Sequence, residues 1–356
     1  MDYAELAPLL VKDALRIKEN ELIEITLTGE KDYFSFVDEF TLCVSKVGAF
    51  PTIRLNTPSY RRRYLKEIPE KFLNRTPPHA LRRIKDFHRH INIIADDPDP
   101  MFKDVSTRKY QISKEARRPI DEQIQRRNMS SLYLPTPELA DFFKIPRELF
   151  VDYLQKSLFI DYDALRKQCK ALALLLKKSK RAIKIITGDQ FELEFFITGR
   201  PIFIEDGSRN LPAGSVFLAP LEQSVNGSVL LDSVNLNGKT ISGLILNFNN
   251  GRIESTSAEK NHRIFQQRLS NAYGDKDVFA GFGFGLNAGI DKPIGCEIVD
   301  TRVLGSIHIC IGSNLIFGGK NFSDLFWTMI NSEPTVYIDG KKIIDHSQII
   351  GTLAKF

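Results

Sequence analysis

The chain has few of the residues that mark disulfide-rich, zinc-ribbon or membrane proteins. Its four cysteines form no CxxC pair: Cys43, Cys169, Cys296 and Cys310. Neither a disulfide framework nor a zinc ribbon is therefore predicted, and reduced thiols are expected. No stretch approaches the roughly 18 apolar residues that cross a bilayer, and Met1 to Glu5 lack the pattern of a secretion signal. We expect a cytoplasmic protein without a membrane partner.

Short catalytic and nucleotide-binding motifs are also missing. The sequence has no GxSxG, and no GxGxxG follows its first predicted strand, so dinucleotide binding is not predicted. Ser106–Lys109 and Ser257–Lys260 fit SxxK but lack the SDN and KTG partners of that chemistry. The glycine-rich run Gly281–Gly289 is not followed by Lys-Ser/Thr. We predict that it is a tight backbone path beside a cleft, where glycine permits close approach.

The composition that remains is that of a globular protein. Hydrophobic residues make up 42% of the 356 residues and charged residues 26%, and the length favours two domains. The net charge of +5 is uneven, because residues 54–127 contain 19 Lys and Arg against 10 Asp and Glu. The arginine groups of this stretch are Arg61-Arg62-Arg63, Arg82-Arg83, Arg117-Arg118 and Arg126-Arg127. The stretch is either a solvated surface or a docking surface for an anionic partner. No nucleic-acid-binding motif accompanies it, so a nucleic-acid partner is not predicted.

Hydrophobic periodicity predicts an α/β first half with a parallel sheet. A strand over Glu21–Thr28, a helix over Tyr33–Val47 and a strand over Phe50–Leu55 form a βαβ unit, and His90–Ala95 is a third strand. Further helices are predicted over residues 113–128, from Pro135 to Phe143 and over Ala164–Lys178. For the last of these, Asp161 or Asp163 is the expected N-cap.

After Lys184 the sequence changes to short strand-like runs bounded by Gly and Asn. These runs are Ile183–Thr187, Phe191–Thr198, Val216–Ala219, Ser228–Leu231, Leu244–Phe248, Arg252–Ser255, Ser306–Gly312 and Val336–Ile338. We therefore predict an α/β domain over residues 1–184, followed by an α+β, β-rich domain over residues 185–356.

Five blocks of the second half occur together in one order. They are Asn210–Pro220 with Glu222–Gly227, then Ala280–Asn287, Gly305–Gly312, Gly319–Ser323 and Pro334–Gly340. In this order the blocks resemble the catalytic domain of the aminopeptidase T, aminopeptidase S and PepS family of metallopeptidases. The chain is also shorter than typical members, and closer in length to a branch that includes the 2,5-dihydroxypyridine dioxygenases.

The resemblance implies a two-metal site, and most of its ligands are absent. The family uses two glutamates, two histidines and an aspartate, at positions that here are Ser215, Gly281, His308, Phe326 and Thr328. A tyrosine that follows the retained histidine in the family is Leu315 here. One imidazole cannot hold two divalent ions, so the family's chemistry is not expected. Members of the dioxygenase branch bind iron through the last two of these positions, which here are Phe326 and Thr328. Dioxygenase activity is therefore not expected either.

The leading hypothesis is a catalytically degenerate relative that binds a peptide or peptide-like partner in the former cleft. We expect strand addition along a glycine-rich edge and apolar anchoring by Phe326 and Trp327, unless Phe326 fills the old site. The candidate cleft residues are Ser215, Glu222, Gly281, Gly285, Asn287, His308, Asn321, Phe326 and Thr328. Glu222 and Asn226 are either substrate contacts or turn stabilisers, and the turn role is favoured because Val-Asn-Gly is also a hairpin signal.

Two other functional classes stay open. An active hydrolase could use a rearranged metal site of His308 and Cys310, two apart on a strand, with Asp300 and Asp324. A non-enzymatic scaffold could dock an acidic partner on the basic stretch. No cofactor is expected, and the resemblance implies a homodimer.

Overall fold

The structure has the predicted βαβ beginning. In the computed structural model, which describes residues 3–125, 129–180, 182–236 and 238–355, the helices are α1 (Tyr3–Pro8), α2 (Phe34–Lys46), α3 (Pro58–Glu67), α4 (Glu70–Leu73), α5 (Pro78–Asp86), α6 (Thr107–Gln125), α7 (Pro137–Phe143), α8 (Arg147–Leu158), α9 (Tyr162–Lys178), α10 (His262–Asn271) and α11 (Glu297–Asp300). A π-helical turn, Leu9–Ala14, follows α1. Within these ranges no helix has both the length and the apolar character needed to cross a membrane.

The strands alternate with the helices at first and then dominate. They are β1 (Leu22–Thr28), β2 (Phe50–Asn56), β3 (Arg89–Ile94), β4 (Met129–Tyr133), β5 (Ala182–Thr187), β6 (Phe191–Phe196), β7 (Ile202–Glu205), β8 (Asn210–Leu211), β9 (Ser215–Leu218), β10 (Asn226–Leu236), β11 (Lys239–Asn249), β12 (Arg252–Ser257), β13 (Phe279–Gly285), β14 (Ile307–Gly312), β15 (Phe326–Asn331), β16 (Thr335–Ile338), β17 (Lys341–Asp345) and β18 (Gln348–Ile349). The predicted pair Arg126-Arg127 and the end of the helix predicted over residues 113–128 lie outside the described residues.

The chain forms two compact units whose limits differ from the expected boundary near residue 185. The first unit comprises residues 1–142, 146–159 and 207–212, and the second comprises residues 143–145, 160–206 and 213–356. Helix α9 belongs to the second unit because it packs on β7, β9 and the turn Gly351–Lys355. A local change in sequence texture cannot show this, since the partners of α9 lie far along the chain.

The first unit contains the predicted parallel sheet. Its strand order is β2-β1-β3-β4-β8, and every neighbouring pair is parallel. Strand β1 lies between β2 and β3 and is mostly buried rather than half-buried as its alternation predicted. Its Glu24 is 2% exposed, and the buried carboxylate accepts from Arg83 and contacts Nδ1 of His90 at 3.1 Å.

The second unit is β-rich, as predicted, and its sheet is antiparallel. The strand order is β18-β17-β16-β5-β6-β10-β15-β14-β13-β9-β7, with β11 and β12 added beside β10. The glycine-rich run, which was predicted to be a tight backbone path beside a cleft, is mostly strand β13, and this strand is buried along its whole length between β9 and β14. Its glycines alternate with phenylalanines, so the run has the period of a strand.

Most cations of the basic stretch are paired within the first unit. The ion pairs are Arg61 and Lys114 with Asp99, Arg62 and Lys66 with Asp104, Arg63 with Glu67, Arg83 with Glu24, Arg108 with Glu70, Arg117 with Asp121, and Arg118 with Glu122. These contacts favour the solvated-surface reading for most of the stretch.

Helix α9 begins at the predicted cap. One carboxylate oxygen of Asp161 accepts from the backbone N–H groups of Asp163 and Ala164, each at 2.9 Å. The expected face is also confirmed, because Leu165, Leu172 and Leu176 are buried.

We predict that Asp161→Ala lowers the free energy of unfolding by about 1 kcal/mol, because two N–H groups lose their acceptor. Asp161→Asn should lose little, since its amide oxygen still accepts. Chemical unfolding of both variants measures the difference. Equal losses for Ala and Asn would contradict the capping role.

Candidate functional site

The retained histidine lies in a row of residues that crosses five strands of the second unit. Phe203 of β7, Phe217 of β9, Gly283 of β13, His308 of β14 and Ile330 of β15 are direct neighbours in the sheet register. Directly paired residues project to the same face of a sheet. The side chain of His308 therefore shares its face with the two phenylalanines.

The positions that the resemblance assigns to metal ligands lie on this same face. Gly281, Cys310 and Thr328 form the next row, one pleat along. Phe326 is two residues before Thr328 on β15, and Ser215 is two residues before Phe217 on β9, so both project the same way. We call this surface of β9, β13, β14 and β15 the His308 face.

The three glycines of β13 on the His308 face differ in the space around them. A Cβ on Gly283 would lie 2.3 Å from Nε2 of His308, and a Cβ on Gly285 would lie 2.0 Å from the carbonyl oxygen of Val303. On Gly281 the nearest atom would be 3.6 Å away, which is an ordinary contact. Gly283 and Gly285 are thus required by packing, whereas Gly281 has room for the start of a side chain.

The expected strand addition on the glycine-rich run is not available. Strand β13 pairs with β9 on one edge and β14 on the other, so its backbone groups are used within the sheet. Trp327 also differs from expectation, because it lies on the opposite face. There it stacks on Phe265 with ring centroids 5.1 Å apart, and it cannot add apolar area beside His308.

His308 is a buried, neutral imidazole. Its side chain is 5% exposed, and Nδ1 has no hydrogen-bond partner within the described residues. Burial lowers the pKa of His308 to about 3, the charge of Arg302 acts in the same direction, and a backbone contact with Thr301 opposes them. A buried imidazole atom without a partner is a site where a ligand could donate or accept a hydrogen bond.

The residues proposed for a rearranged metal site have other partners. Sγ of Cys310 lies 3.4 Å from the hydroxyl of Thr328, and burial raises the pKa of this thiol to about 12. The thiolate, which is the metal-binding form, is therefore disfavoured. Asp300 accepts from the N–H groups of Ile294 and Gly295 at 2.7 and 2.8 Å.

Asp324 accepts from the N–H of Tyr273 at 2.8 Å. Across the described ranges, no group of three or more His, Cys, Asp and Glu side chains is arranged to hold a metal ion. The residues present on the His308 face therefore do not fit the family's two-metal centre.

The remaining predicted cleft residues hold the backbone in place. Asn287 donates to the carbonyl of Ala213 at 2.7 Å, and Asn321 donates to the carbonyl of Phe279 at 3.0 Å. Both asparagines are almost fully buried.

Glu222 and Asn226 also accept hydrogen bonds from the backbone. Glu222 accepts from the N–H of Lys320 at 2.8 Å and pairs with Arg200. Asn226 begins strand β10 rather than turning a hairpin, and its side-chain oxygen accepts from the N–H of Asn250 at 2.9 Å.

An aromatic cluster beside His308 was missed by the sequence reasoning. Phe317 contacts Phe203, Phe217 and Phe326 with ring centroids 5.5, 5.0 and 5.4 Å apart, and the ring of Phe217 lies 6.5 Å from that of His308. None of these four phenylalanines is fully buried, and Phe326 is 41% exposed. We call these four residues the aromatic cluster. Only the alternation in β7 and β9 was available as a signal, and alternation does not give the register between strands.

The whole chain has the fold of two solved structures. The wild-type AmpT of Thermus thermophilus is 19% identical, with a TM-score of 0.71 over 98% of this chain and 99% of that chain. The 2,5-dihydroxypyridine dioxygenase of Pseudomonas putida KT2440 is 14% identical, with a TM-score of 0.68 over 99% of this chain and 98% of that one. At these identities the similarity establishes the fold and not the activity. No curated protein sequence matches the chain.

The fold is therefore the aminopeptidase-T-like one, with a parallel α/β unit and a β-rich unit. The model of the thermophilic metalloprotease (M29) family matches residues 2–278, so the chain belongs to that peptidase family. The match ends before β13, β14 and β15, which carry four of the five positions assigned to ligands.

We predict that protein purified without a chelator contains well under one equivalent of zinc, cobalt, manganese or iron. One neutral imidazole does not supply the several N or O donors that each ion needs. Elemental analysis of the wild type and of His308→Ala provides the measurement. Stoichiometric metal that disappears in His308→Ala would show that a different site has formed.

Proposed function

We propose that the protein is a catalytically degenerate M29 peptidase that binds a peptide or peptide-like ligand at the His308 face. The observation that carries the proposal is that the assigned ligand positions and an aromatic cluster occur on one surface. The five positions assigned to metal ligands converge there, and they comprise one imidazole and no carboxylate. The carboxylate of Glu205, which is paired with Ser215 across β7 and β9, is bound to Arg302. A partly exposed aromatic cluster lies beside the five positions.

The loss of hydrolysis follows from the chemistry of a two-metal site. Two ions activate the attacking water and stabilise the charge that develops on the carbonyl oxygen. Ser215, Gly281, Phe326 and Thr328 cannot provide the carboxylate and imidazole donors that hold such ions. Without the metals, most of the stabilisation of the transition state is lost.

The space at Gly281 supports a former ligand position. A glycine in a buried strand weakens it, and a packing reason usually explains one. Gly283 and Gly285 have such a reason, and Gly281 does not. This pattern is expected if a longer side chain at residue 281 belongs to the fold's catalytic members and has been lost here.

Peptide binding is supported by the aromatic cluster. Partly exposed phenylalanine rings offer apolar area to a peptide side chain. The unpartnered Nδ1 of His308 is buried beneath this surface, so the aromatic rings are the expected contacts. Because β13 has no free edge, recognition would depend on side chains more than on backbone pairing. An apolar residue of the peptide is expected to contact Phe326.

We predict that no amino acid is released from leucyl or other aminoacyl substrates, with or without added divalent ions. Gly281→Glu alone should also be inactive, since one added carboxylate beside one imidazole does not complete the ligand set. Product release measured by chromatography tests both proteins. Turnover that stops with a chelator and returns with metal would disprove degeneracy.

We predict that peptides selected from a library on the wild-type protein bind Phe326→Ala about tenfold more weakly or worse, because truncating an aromatic anchor costs about 2 kcal/mol. Phe322→Ala is the matched control. Phe322 is also an exposed phenylalanine, at 58%, but it contacts Tyr273 and lies outside the aromatic cluster. Fluorescence polarisation with labelled peptides gives the dissociation constants.

A blocking variant makes the test independent of Phe326. Gly281→Leu places a side chain on the His308 face where the backbone has room for it, and it should abolish binding. Gly285 is unsuitable for this purpose because any Cβ there meets the carbonyl of Val303. If no peptide binds the wild type, or if binders tolerate both Phe326→Ala and Gly281→Leu, the proposal fails.

A further inference from the structure

A row of polar side chains crosses the middle of the parallel sheet of the first unit. Arg54 of β2, Thr26 of β1, Asn92 of β3 and Ser131 of β4 are direct neighbours in the register. All four are partly exposed. Strands of parallel sheets are usually apolar and covered on both faces, so a partly exposed polar row at this place is unusual.

The side chains of this row have unused hydrogen-bonding capacity. The amide oxygen of Asn92 accepts from the hydroxyl of Thr28 at 2.9 Å, which leaves the amide N–H groups of Asn92 directed elsewhere. Within the described part of the chain, the hydroxyls of Thr26 and Ser131 and the amide nitrogen of Asn92 make no hydrogen bond. The row therefore presents donors.

Two further guanidinium groups lie near this face of the sheet. Arg83 of α5 donates to the buried Glu24, which lies in the adjacent row on the same face. Arg117 of α6 pairs with Asp121 at 2.9 Å. Arg54 forms no hydrogen bond or ion pair with any residue that the structure describes. Among the residues that the structure describes, the three guanidinium groups therefore have two carboxylate partners, Glu24 for Arg83 and Asp121 for Arg117.

The excess positive charge is costly in this position. Burial lowers the pKa of Arg54 and of Arg83, and the charge of Arg117 lowers both further, whereas the charge of Asp121 raises the pKa of Arg54 in part. A guanidinium that is taken from water without a partner loses hydration that nothing replaces. An anion placed among the three groups would restore the balance, and guanidinium binds phosphate and carboxylate oxygens in a bidentate manner.

We propose that Arg54, Arg83 and Arg117, above the donor row of Thr26, Asn92 and Ser131, bind a small oxyanion, either a phosphate or a carboxylate. The site lies entirely within the first unit, and it is independent of the peptide site proposed on the second. It also gives the basic stretch a specific role that its many internal ion pairs do not explain.

The test is the thermal unfolding of the full-length protein during titration with inorganic phosphate or with succinate, at constant ionic strength maintained with chloride. We expect a saturating rise of the melting temperature with at least one of the two anions, and the better anion identifies the ligand chemistry. In Arg54→Met the affinity should fall about tenfold or more, because a charge-assisted contact is lost. Without anion, Arg54→Met should be as stable as the wild type or more stable.

Arg118→Met is the matched control. Arg118 is next to Arg117 on α6, is 78% exposed and pairs with Glu122, so its loss should leave the anion response unchanged. Thr26→Val removes one donor with little change of shape, and it should weaken the response even if Arg54→Met fails to fold. The proposal is overturned if neither anion gives a saturating rise, if the rise persists in Arg54→Met, or if Thr26→Val responds as the wild type does.

Discussion

The arrangement of the second unit depends on strand β13, because the two faces of this strand have different packing requirements. On one face, Phe282 packs against Phe195 and Phe284 with ring centroids 5.1 and 4.8 Å apart, which anchors the strand in the core. On the other face, Gly283 leaves room for the ring of His308. With both edges paired, the strand also fixes the register of β9 and β14. The position of every residue on the His308 face follows from this register.

Local patterns predicted much of the fold. The βαβ start, the cap at Asp161 and the change to short strands near residue 185 are all visible within windows of a few residues. Strand β13 was not predicted because its glycines were interpreted as permitting a tight backbone path beside a cleft, although Phe-Gly-Phe-Gly is a period-2 pattern whose small residues face a side chain from the next strand. The site was only partly accessible. His308 and the assigned ligand positions could be found, but the aromatic cluster depends on pairing between β7, β9 and a distant turn.

The charge of the basic stretch is also only partly predictable from the sequence. Counting residues 54–127 gives a basic stretch, and the count cannot tell which cations are neutralised. The structure pairs Arg62 of α3 with Asp104, which lies in the segment before α6. It pairs Arg117 with Asp121 within α6. Arg54 differs because it lies on a strand whose neighbours are polar but uncharged in its own row. Burial and register, rather than local charge density, separate a solvated cation from a candidate binding group.

The arrangement of the second unit explains how ligands can be absent while the fold persists. Many large apolar side chains of β13, β14 and β15 lie on the face opposite His308, including Phe282, Ile309 and Met329, all nearly or fully buried. Residues on the His308 face contribute less to that core, so exchanging a carboxylate for Ser215, or an imidazole for Phe326, leaves the main packing intact. Removing charged ligands from a metal-free sheet would even relieve like-charge repulsion. The aminopeptidase-T-like fold therefore depends on the core face and on Gly283 and Gly285 more than on the positions assigned to ligands.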